Sequence, residues 1–201
     1  MKYIIANLEG DFEPGSNEQV LKNTLGIIDP VEMFSAENEL LLQLYKYLFE
    51  PEFSVDTLTF QVIKNWHRMW LKPIYPWAGE LRTVDMSKAA FRFAAAKFLD
   101  KQIKPFEEHF LQPYEKLTGY SKEALIVYLA KAHVEFILIH PFREGNGRMS
   151  RLLMDVLVTQ AGFEPLDYSI WNKHKEYYFA AIQTGVAGNY EYMEGLIRDL
   201  L

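Results

Sequence analysis

The sequence contains no cysteine, and none of its apolar runs is long enough to span a membrane. Without cysteine, a disulfide framework and a thiolate zinc site are both excluded. The net charge of -6 shows no excess of basic residues, which counts against nucleic-acid binding. The first eight residues lack the apolar stretch of a signal peptide. We therefore expect a cytoplasmic protein that binds neither membranes nor nucleic acids.

The chain has enough residues to bury one core. Its 201 residues fit one domain, and a hydrophobic content of 49% is close to the globular average. We expect a single domain over 1–201, with a core at about 56–200 and N-terminal helices at about 17–49 packed on it.

Capping signals and apolar periodicity predict a helical protein. Asp29, Pro30 and Glu32 open a helix to about residue 49, and Ser121 caps a helix whose residues 125–139 are apolar on nearly every side. Ser16 and Asp56 are expected to start two others, and Pro105 should break or kink a segment at about 95–111. The helix that Ser16 starts is expected at about 17–25, and further helices are expected at about 147–161, 170–183 and 190–200.

The segment 81–94 departs from helical periodicity. Apolar and β-branched residues occur there in two short runs, and the sequence between them is interrupted near residues 88–90. This pattern predicts one small β-hairpin in an otherwise all-α fold.

The residues that suggest chemistry run from His140 to Arg151, between two predicted helices. Gly145 and Gly147 flank Asn146 and allow the backbone N–H groups to turn inward around an anion. The next helix starts immediately, and its unpaired N-terminal N–H groups favour phosphate. The pattern therefore predicts a phosphate site.

The side chains around this loop extend the prediction. Arg148 and Arg151 are three residues apart on one helix face, and guanidinium groups bind phosphate oxygens in pairs. The presence of the Glu144 carboxylate among these cations is explained if Mg²⁺ bridges it to the phosphates. Mg²⁺ is usually held by one or two carboxylates plus phosphate oxygens. His140 titrates near neutrality and is the candidate base.

This stretch, His-Pro-Phe-Arg-Glu-Gly-Asn-Gly-Arg-Met-Ser-Arg, resembles the signature of the Fic family, His-x-Phe-x-(Asp/Glu)-Gly-Asn-Gly-Arg-x-x-Arg, at every defining position. The resemblance extends to residues 20–27, 74–84, 87–88 and 188–190. It implies an all-helical Fic fold with one β-hairpin, the flap, over a nucleotide site. It also implies a protein adenylyltransferase, which moves AMP from Mg-ATP to a Ser, Thr or Tyr hydroxyl of a target protein and releases pyrophosphate.

The resemblance also assigns roles to individual residues. His140 is expected to deprotonate the target hydroxyl, and Glu144 to hold Mg²⁺. The ATP phosphates are expected to be bound by Gly145, Asn146, Gly147, Arg148 and Arg151. The flap is expected to pair with a strand of the target through Val84, Asp85, Met86, Ser87 and Lys88.

The helix predicted from about residue 30 to 49 contains a partial match to an inhibitory motif. Many Fic proteins are inhibited by a helix of the pattern (Ser/Thr)-x-x-x-Glu-(Gly/Asn), whose glutamate pairs with the second signature arginine. Ser35 and Glu39 match it in part, but Leu40 follows. A small, separate antitoxin-like protein is therefore favoured as the inhibitor over Glu39 acting in cis.

Other interpretations remain open. A Fic-like enzyme can transfer phosphate, another nucleotide or phosphocholine, or can remove AMP from a target. A catalytically silent binding module is a second alternative, although the complete set of signature residues counts against it. His133 is expected to be a hydrogen-bonded core residue and not a metal ligand.

Overall fold

The computed structural model describes residues 3–5, 12–50, 55–88 and 91–201. Its α-helices and strands are, in chain order, β1 (Tyr3–Ile5), α1 (Pro30–Leu48), α2 (Phe60–Leu71), β2 (Met86–Lys88), β3 (Phe91–Arg92), α3 (Leu99–Phe110), α4 (Lys122–Ile139), α5 (Asn146–Gln160), α6 (Ser169–Lys173), α7 (Lys175–Gly185) and α8 (Glu191–Arg198). Two 3₁₀ helices, Ala96–Phe98 and Gln112–Gly119, flank α3. The expected helical fold with a small hairpin is confirmed.

Side-chain caps explain where the long helices begin. The Asp29 carboxylate accepts hydrogen bonds from the Val31 and Glu32 N–H groups at the start of α1, and the Ser121 hydroxyl caps α4 through the Ala124 N–H. Both starts were expected from the sequence.

The expected start at Asp56 was wrong. The Thr59 hydroxyl caps α2 through the Val62 N–H, so the helix begins one turn later than expected.

The short helix expected at about 17–25 is absent from the described residues. This segment forms turns, and the backbone of Asn17 and Glu18 adopts positive φ, which a right-handed helix does not allow. The Asn23 side chain bonds the backbone of Leu21, Leu25 and Ile27 and replaces the helical bonds.

Helix α4 is the centre of the core. Eleven of its residues are buried, and it contacts α3, α5, α7 and α8. An all-round apolar helix is expected in this position because each of its faces meets a neighbour. His140 follows its last residue, Ile139, and begins the signature loop.

The sheet has one more strand than the sequence predicted. Strands β2 and β3 form the antiparallel hairpin, and β1 pairs antiparallel with the other edge of β2. The register of the outer pair aligns Tyr3 with Lys88, Ile4 with Ser87, and Ile5 with Met86. A three-residue strand distant in sequence carries too weak a pattern to be predicted.

Two interruptions also differ from expectation. Pro105 lies inside α3, which continues to Phe110, so it does not break the helix. The helix expected over 170–183 is divided at His174 into α6 and α7.

In the described part of the chain, no helix is both long enough and apolar enough to cross a membrane.

Candidate active site

His140 ends α4 in a left-handed conformation, with φ 50° and ψ 60°. This conformation is unusual for a residue with a side chain and turns the backbone sharply into the signature loop. The imidazole Nδ1 lies 3.2 Å from the Ile137 carbonyl oxygen. Because a carbonyl only accepts hydrogen bonds, Nδ1 carries the proton in this contact. The neutral ring then has its basic lone pair on Nε2.

The surroundings of His140 keep its ring neutral. Burial lowers the pKa of His140 to about 3, and the positive charges of Arg82 and Lys88 contribute in the same direction. The Phe93 ring stacks on the imidazole with centroids 3.7 Å apart and an interplanar angle of 15°. A neutral, oriented imidazole is the form that can accept a proton.

Arg82 connects His140 to the flap. Its buried guanidinium donates to the His140 carbonyl oxygen at 2.6 Å and to the Val84 carbonyl oxygen at 2.7 Å. It also donates to the carbonyl oxygens of Ala94 and Ile139. The residues that precede and follow the flap strands are therefore held at the C-terminal end of α4 by one side chain.

The signature loop is closed by its own side chains. The Phe142 N–H donates to Asn146 Oδ1 at 2.9 Å, and Asn146 Nδ2 donates to the Phe142 carbonyl oxygen at 2.7 Å. Gly145 has φ 81°, and a Cβ on it would lie 2.7 Å from the Trp70 ring, so only glycine fits. Asn146 thus fixes the loop conformation through its bonds to the Phe142 backbone, and Gly145 allows the loop to approach the Trp70 ring closely.

His67 supports the same loop from α2. Its Nδ1 accepts from the Gly79 N–H at 2.8 Å, which leaves Nε2 as the donor to the Glu144 carbonyl oxygen at 3.0 Å. Its ring stacks on Phe142 with centroids 3.9 Å apart. Burial lowers the pKa of His67 to about 4, which keeps this neutral tautomer near neutral pH.

Helix α5 begins at Asn146 without a side-chain cap on its first N–H groups. The dipole of a helix is positive at this end, so an anion is favoured in front of it. Gly147 and Arg148 belong to this first turn, where unpaired N–H groups point toward the loop. An anion is therefore favoured in front of this turn, and phosphate binding there stays a prediction.

Arg148 is engaged by α1. Its guanidinium forms an ion pair with Glu37 and donates to Asn38 Oδ1 at 3.2 Å. It also lies 4.7 Å from the centroid of the Trp70 ring. Glu37 is buried and accepts a further hydrogen bond from the Tyr75 hydroxyl at 2.7 Å. The first signature arginine is thus neutralised by a carboxylate of the same chain.

Arg151 faces a different set of residues. Its guanidinium donates to Asn172 Oδ1 at 3.1 Å and lies 5.1 Å from the centroid of the Tyr168 ring. Among the described residues, no carboxylate forms an ion pair with Arg151. Its positive charge acts on Asp155 without a direct ion pair.

Glu144 is the carboxylate of the signature loop itself. Its Oε1 accepts the Gly145 N–H at 2.7 Å and lies 3.8 Å from Arg148 Nη2. Burial raises the pKa of Glu144, and the negative charge of Glu37 adds to the rise. The described residues contain no group of three or more His, Cys, Asp or Glu that could hold a metal alone. One carboxylate next to a phosphate site fits Mg²⁺, which phosphate oxygens would help to hold.

The predicted flap residues have different surroundings. Asp85 Oδ1 accepts the Ala96 N–H at 2.7 Å, and Met86 is buried. Ser87 pairs with Arg92, and Lys88 pairs with Phe91, within the hairpin. The Lys88 ammonium lies 4.9 Å from the centroid of the Phe179 ring. Of the expected flap set, Met86, Ser87 and Lys88 form the strand itself, and Val84 and Asp85 precede it.

The possible inhibitory residues do not reach the signature arginines. The Ser35 hydroxyl donates to the Val31 carbonyl oxygen of its own helix, and Glu39 is exposed. Glu37, two residues earlier, faces Arg148 instead, because residues two apart on a helix lie on nearly opposite sides. Glu37 was missed, although Glu37-Asn38 matches the last two positions of the inhibitory pattern; Met33 replaces its leading Ser or Thr.

Two more residues of the site were not predicted. Arg82 and His67 act on the loop through backbone oxygens, and a single-residue contact with a distant backbone atom leaves no sequence periodicity. His133 is the core residue that the sequence indicated, with Nε2 2.8 Å from the Tyr178 hydroxyl oxygen.

Known proteins resemble this chain in sequence. Residues 57–158 match the model of the Fic/DOC family. The probable protein adenylyltransferase Fic of Escherichia coli K12 is 28% identical over 63% of this chain and 62% of its own length. The protein of the same name from Salmonella typhimurium is 31% identical over 48% of each chain. The matches thus span less than two thirds of either relative.

Solved structures share the fold. The BepC effector of Bartonella tribocorum, solved with bound AMPPNP, superposes with a TM-score of 0.76 at 23% identity, covering 94% of this chain and 95% of that one. At this identity the likeness concerns the fold alone. The family match includes the whole loop from His140 to Arg151 and about half of the chain, so the protein belongs to the Fic/DOC family.

Proposed function

We propose that this protein is a protein adenylyltransferase that transfers AMP from ATP to a hydroxyl side chain of a target protein. The observation that carries the proposal is the imidazole of His140, whose Nδ1 is held by a carbonyl, beside an uncapped helix N-terminus with two arginines. Relatives at 28% and 31% identity carry this activity in their names.

The base and the phosphate-binding residues have separate roles in the reaction. His140 Nε2 takes the proton of the target hydroxyl while its oxygen attacks the α-phosphorus of ATP. The bond from the α-phosphorus to the bridging oxygen breaks, and pyrophosphate leaves. Backbone N–H groups of the loop and the first turn of α5 stabilise the charge that develops on the phosphates.

The remaining charged side chains of the loop are assigned to the ATP phosphates and to Mg²⁺. Arg148 and Arg151 are assigned to the phosphates beyond the α-phosphate, and Asn146 keeps the loop in shape. Glu144 is the carboxylate that would hold Mg²⁺, and the bound ion would neutralise phosphate charge. ATP as substrate supports a cytoplasmic setting.

We also propose that an ion pair within the chain regulates ATP binding. The ion pair of Glu37 with Arg148 competes with phosphate for the same guanidinium, so Glu37 restrains ATP binding in cis. A small, separate inhibitory protein is the second candidate, as in a toxin-antitoxin pair. The exposed Phe34 ring, whose centroid lies 6.0 Å from the guanidinium carbon of Arg148, supports it.

The proposal is tested with ATP labelled at either end. Purified protein and Mg²⁺ are incubated with cell lysate and with α-labelled or γ-labelled ATP, and proteins are separated on a gel. AMP transfer predicts protein-bound label from α-labelled ATP only. Label from γ-labelled ATP would indicate phosphate transfer instead, and no label with folded wild-type protein and with Glu37→Gln would favour a silent binding module.

A further inference from the structure

The side chains that contact the Arg151 guanidinium are uncharged. Its central carbon lies 5.1 Å from the centroid of the Tyr168 ring and 6.0 Å from that of the Trp171 ring, and Asn172 Oδ1 accepts a hydrogen bond from Nη1. An aromatic face attracts a guanidinium but does not cancel its charge. Within the described ranges no carboxylate forms an ion pair with Arg151, so neutral groups alone orient this arginine.

Asp155 is an acidic residue placed to pair with Arg151. The two residues are four apart on α5, a spacing at which an arginine and a carboxylate are neighbours on the helix surface. The Arg151 charge acts on Asp155, but the two side chains form no ion pair. An ion pair that the helix spacing allows is therefore not formed.

Three donors from outside α5 occupy the Asp155 carboxylate. Oδ2 accepts the Tyr45 hydroxyl at 2.7 Å, and Oδ1 accepts the Tyr168 hydroxyl at 2.9 Å and the Leu166 N–H at 3.0 Å. Asp155 is 2% exposed, so solvent cannot readily replace these bonds. The Tyr168 hydroxyl also lies 3.0 Å from the Arg151 carbonyl oxygen, which holds it against the same turn of α5.

From these contacts we propose that Tyr168 is a positioning residue for ATP binding. Its hydroxyl, together with that of Tyr45, holds the Asp155 carboxylate away from Arg151, while its ring supports the guanidinium. Arg151 then keeps its charge for a phosphate beyond the α-phosphate. The inference rests on the proposed function, in which ATP is the substrate. Without the Tyr168 hydroxyl, Asp155 has a free acceptor site, and an ion pair with Arg151 competes with the phosphate.

Calorimetry of the full chain with a non-hydrolysable ATP analogue tests the role of the hydroxyl. Tyr168→Phe keeps the ring and should weaken binding on the order of tenfold, because the Arg151 contact with phosphate is lost to Asp155. In the labelling assay the same variant should raise KM for ATP and leave kcat nearly unchanged, as expected when only binding is affected. The matched control Tyr192→Phe should bind like the wild type, because Tyr192 is 62% exposed on α8.

Two double variants separate this role from a general effect on stability. Asp155→Asn removes the charge that pairs with Arg151, so Tyr168→Phe combined with Asp155→Asn should bind ATP within about threefold of the wild type. In an Arg151→Gln background, the addition of Tyr168→Phe should cause no further loss of affinity. Urea unfolding of each variant shows whether the protein is folded.

Three results would overturn the inference. They are unchanged ATP affinity in Tyr168→Phe, the same loss of affinity with and without Asp155→Asn, or the same loss in the Arg151→Gln background. If any of them is found while lysate proteins are labelled from α-labelled ATP, the adenylyltransferase function stands and this inference fails. If the affinities change as expected but no protein is labelled, the positioning role of Tyr168 stands and the proposed function fails.

Discussion

The Arg148 guanidinium lies between two carboxylates, Glu37 of α1 and Glu144 of the loop. Glu37 is buried and bonded to Tyr75, so its charge is fixed in place. A phosphate that approaches Arg148 must compete with a carboxylate already bound to it. The free protein is therefore expected to bind ATP more weakly than its phosphate site would allow without Glu37.

We predict that Glu37→Gln raises the affinity for ATP on the order of tenfold, because a neutral amide keeps an acceptor for Tyr75 but releases Arg148 for a charge-assisted bond. Titration calorimetry with a non-hydrolysable ATP analogue measures the change. Glu39→Gln is the matched control and should not alter the affinity, since Glu39 is exposed. Equal or weaker binding by Glu37→Gln would show that Glu37 orients Arg148 for ATP.

The protonation state of His140 gives a second prediction at this scale. With its pKa lowered to about 3 by burial, the ring should stay neutral as the pH falls from 7.5 to 5.5. An ordinary histidine would become protonated in this range, near 6.5. NMR of the imidazole resonances, assigned with His140→Ala, should show no titration shift for His140. A midpoint near 6.5 would contradict the buried neutral base.

At the scale of elements, Arg82 joins three parts of the site. It holds the end of α4, the residue before the flap and the residue after it through backbone carbonyl oxygens. Together with the Phe93 ring that stacks on the imidazole, this guanidinium sets the position of His140 relative to the flap. Lysine cannot supply the same fork of donors.

Arg82→Lys should lower the rate of AMP transfer on the order of a hundredfold while ATP binding changes little, because small displacements of reacting groups cost about this much. Labelling rates and calorimetry on the same preparation, checked for folding by circular dichroism, separate the two effects. If ATP affinity and the rate fell together, Arg82 would belong to the nucleotide site and not to the alignment of His140.

The elements divide into those that local sequence determines and those that depend on distant contacts. Helices α1 and α4 were predicted because Asp29 and Ser121 cap them locally. The turns at 17–25 escaped prediction because Asn23 competes with helix formation through its own backbone bonds. Strand β1 is stabilised by pairing with residues more than eighty positions away, and no local pattern encodes that pairing.

The residues of the candidate site also divide into those that local sequence identifies and those that only distant contacts bring together. The loop from His140 to Arg151 is contiguous, so its residues could be identified together in the sequence. Glu37, His67 and Arg82 come from three other segments, and only the tertiary fold brings them to the loop.

For the whole molecule, buried histidines link stability to pH. Burial lowers the pKa of His67 to about 4 and that of His133 and His140 to about 3. The unfolded chain binds protons at these residues near pH 6.5, where the folded protein does not. Folding stability from this source is therefore complete above pH 6.5 and is lost as the pH falls toward 3 to 4.

Urea unfolding at pH 7.5 and pH 5.0 measures this linkage. Each of the three histidines should lower the free energy of unfolding by about 2 kcal/mol at pH 5.0. His133→Gln should narrow the difference between the two pH values by about 2 kcal/mol, since it removes one buried imidazole and leaves the carboxylates unchanged. An unchanged difference in His133→Gln would mean that His133 does not contribute to the linkage.

The most direct test of the central claim, that His140 is the base for AMP transfer, compares binding and chemistry in His140→Ala. Label transfer from α-labelled ATP and calorimetric ATP affinity are measured on the same folded protein. The account predicts a loss of transfer of about a hundredfold to ten-thousandfold with ATP affinity nearly unchanged. Near wild-type transfer by His140→Ala would contradict it.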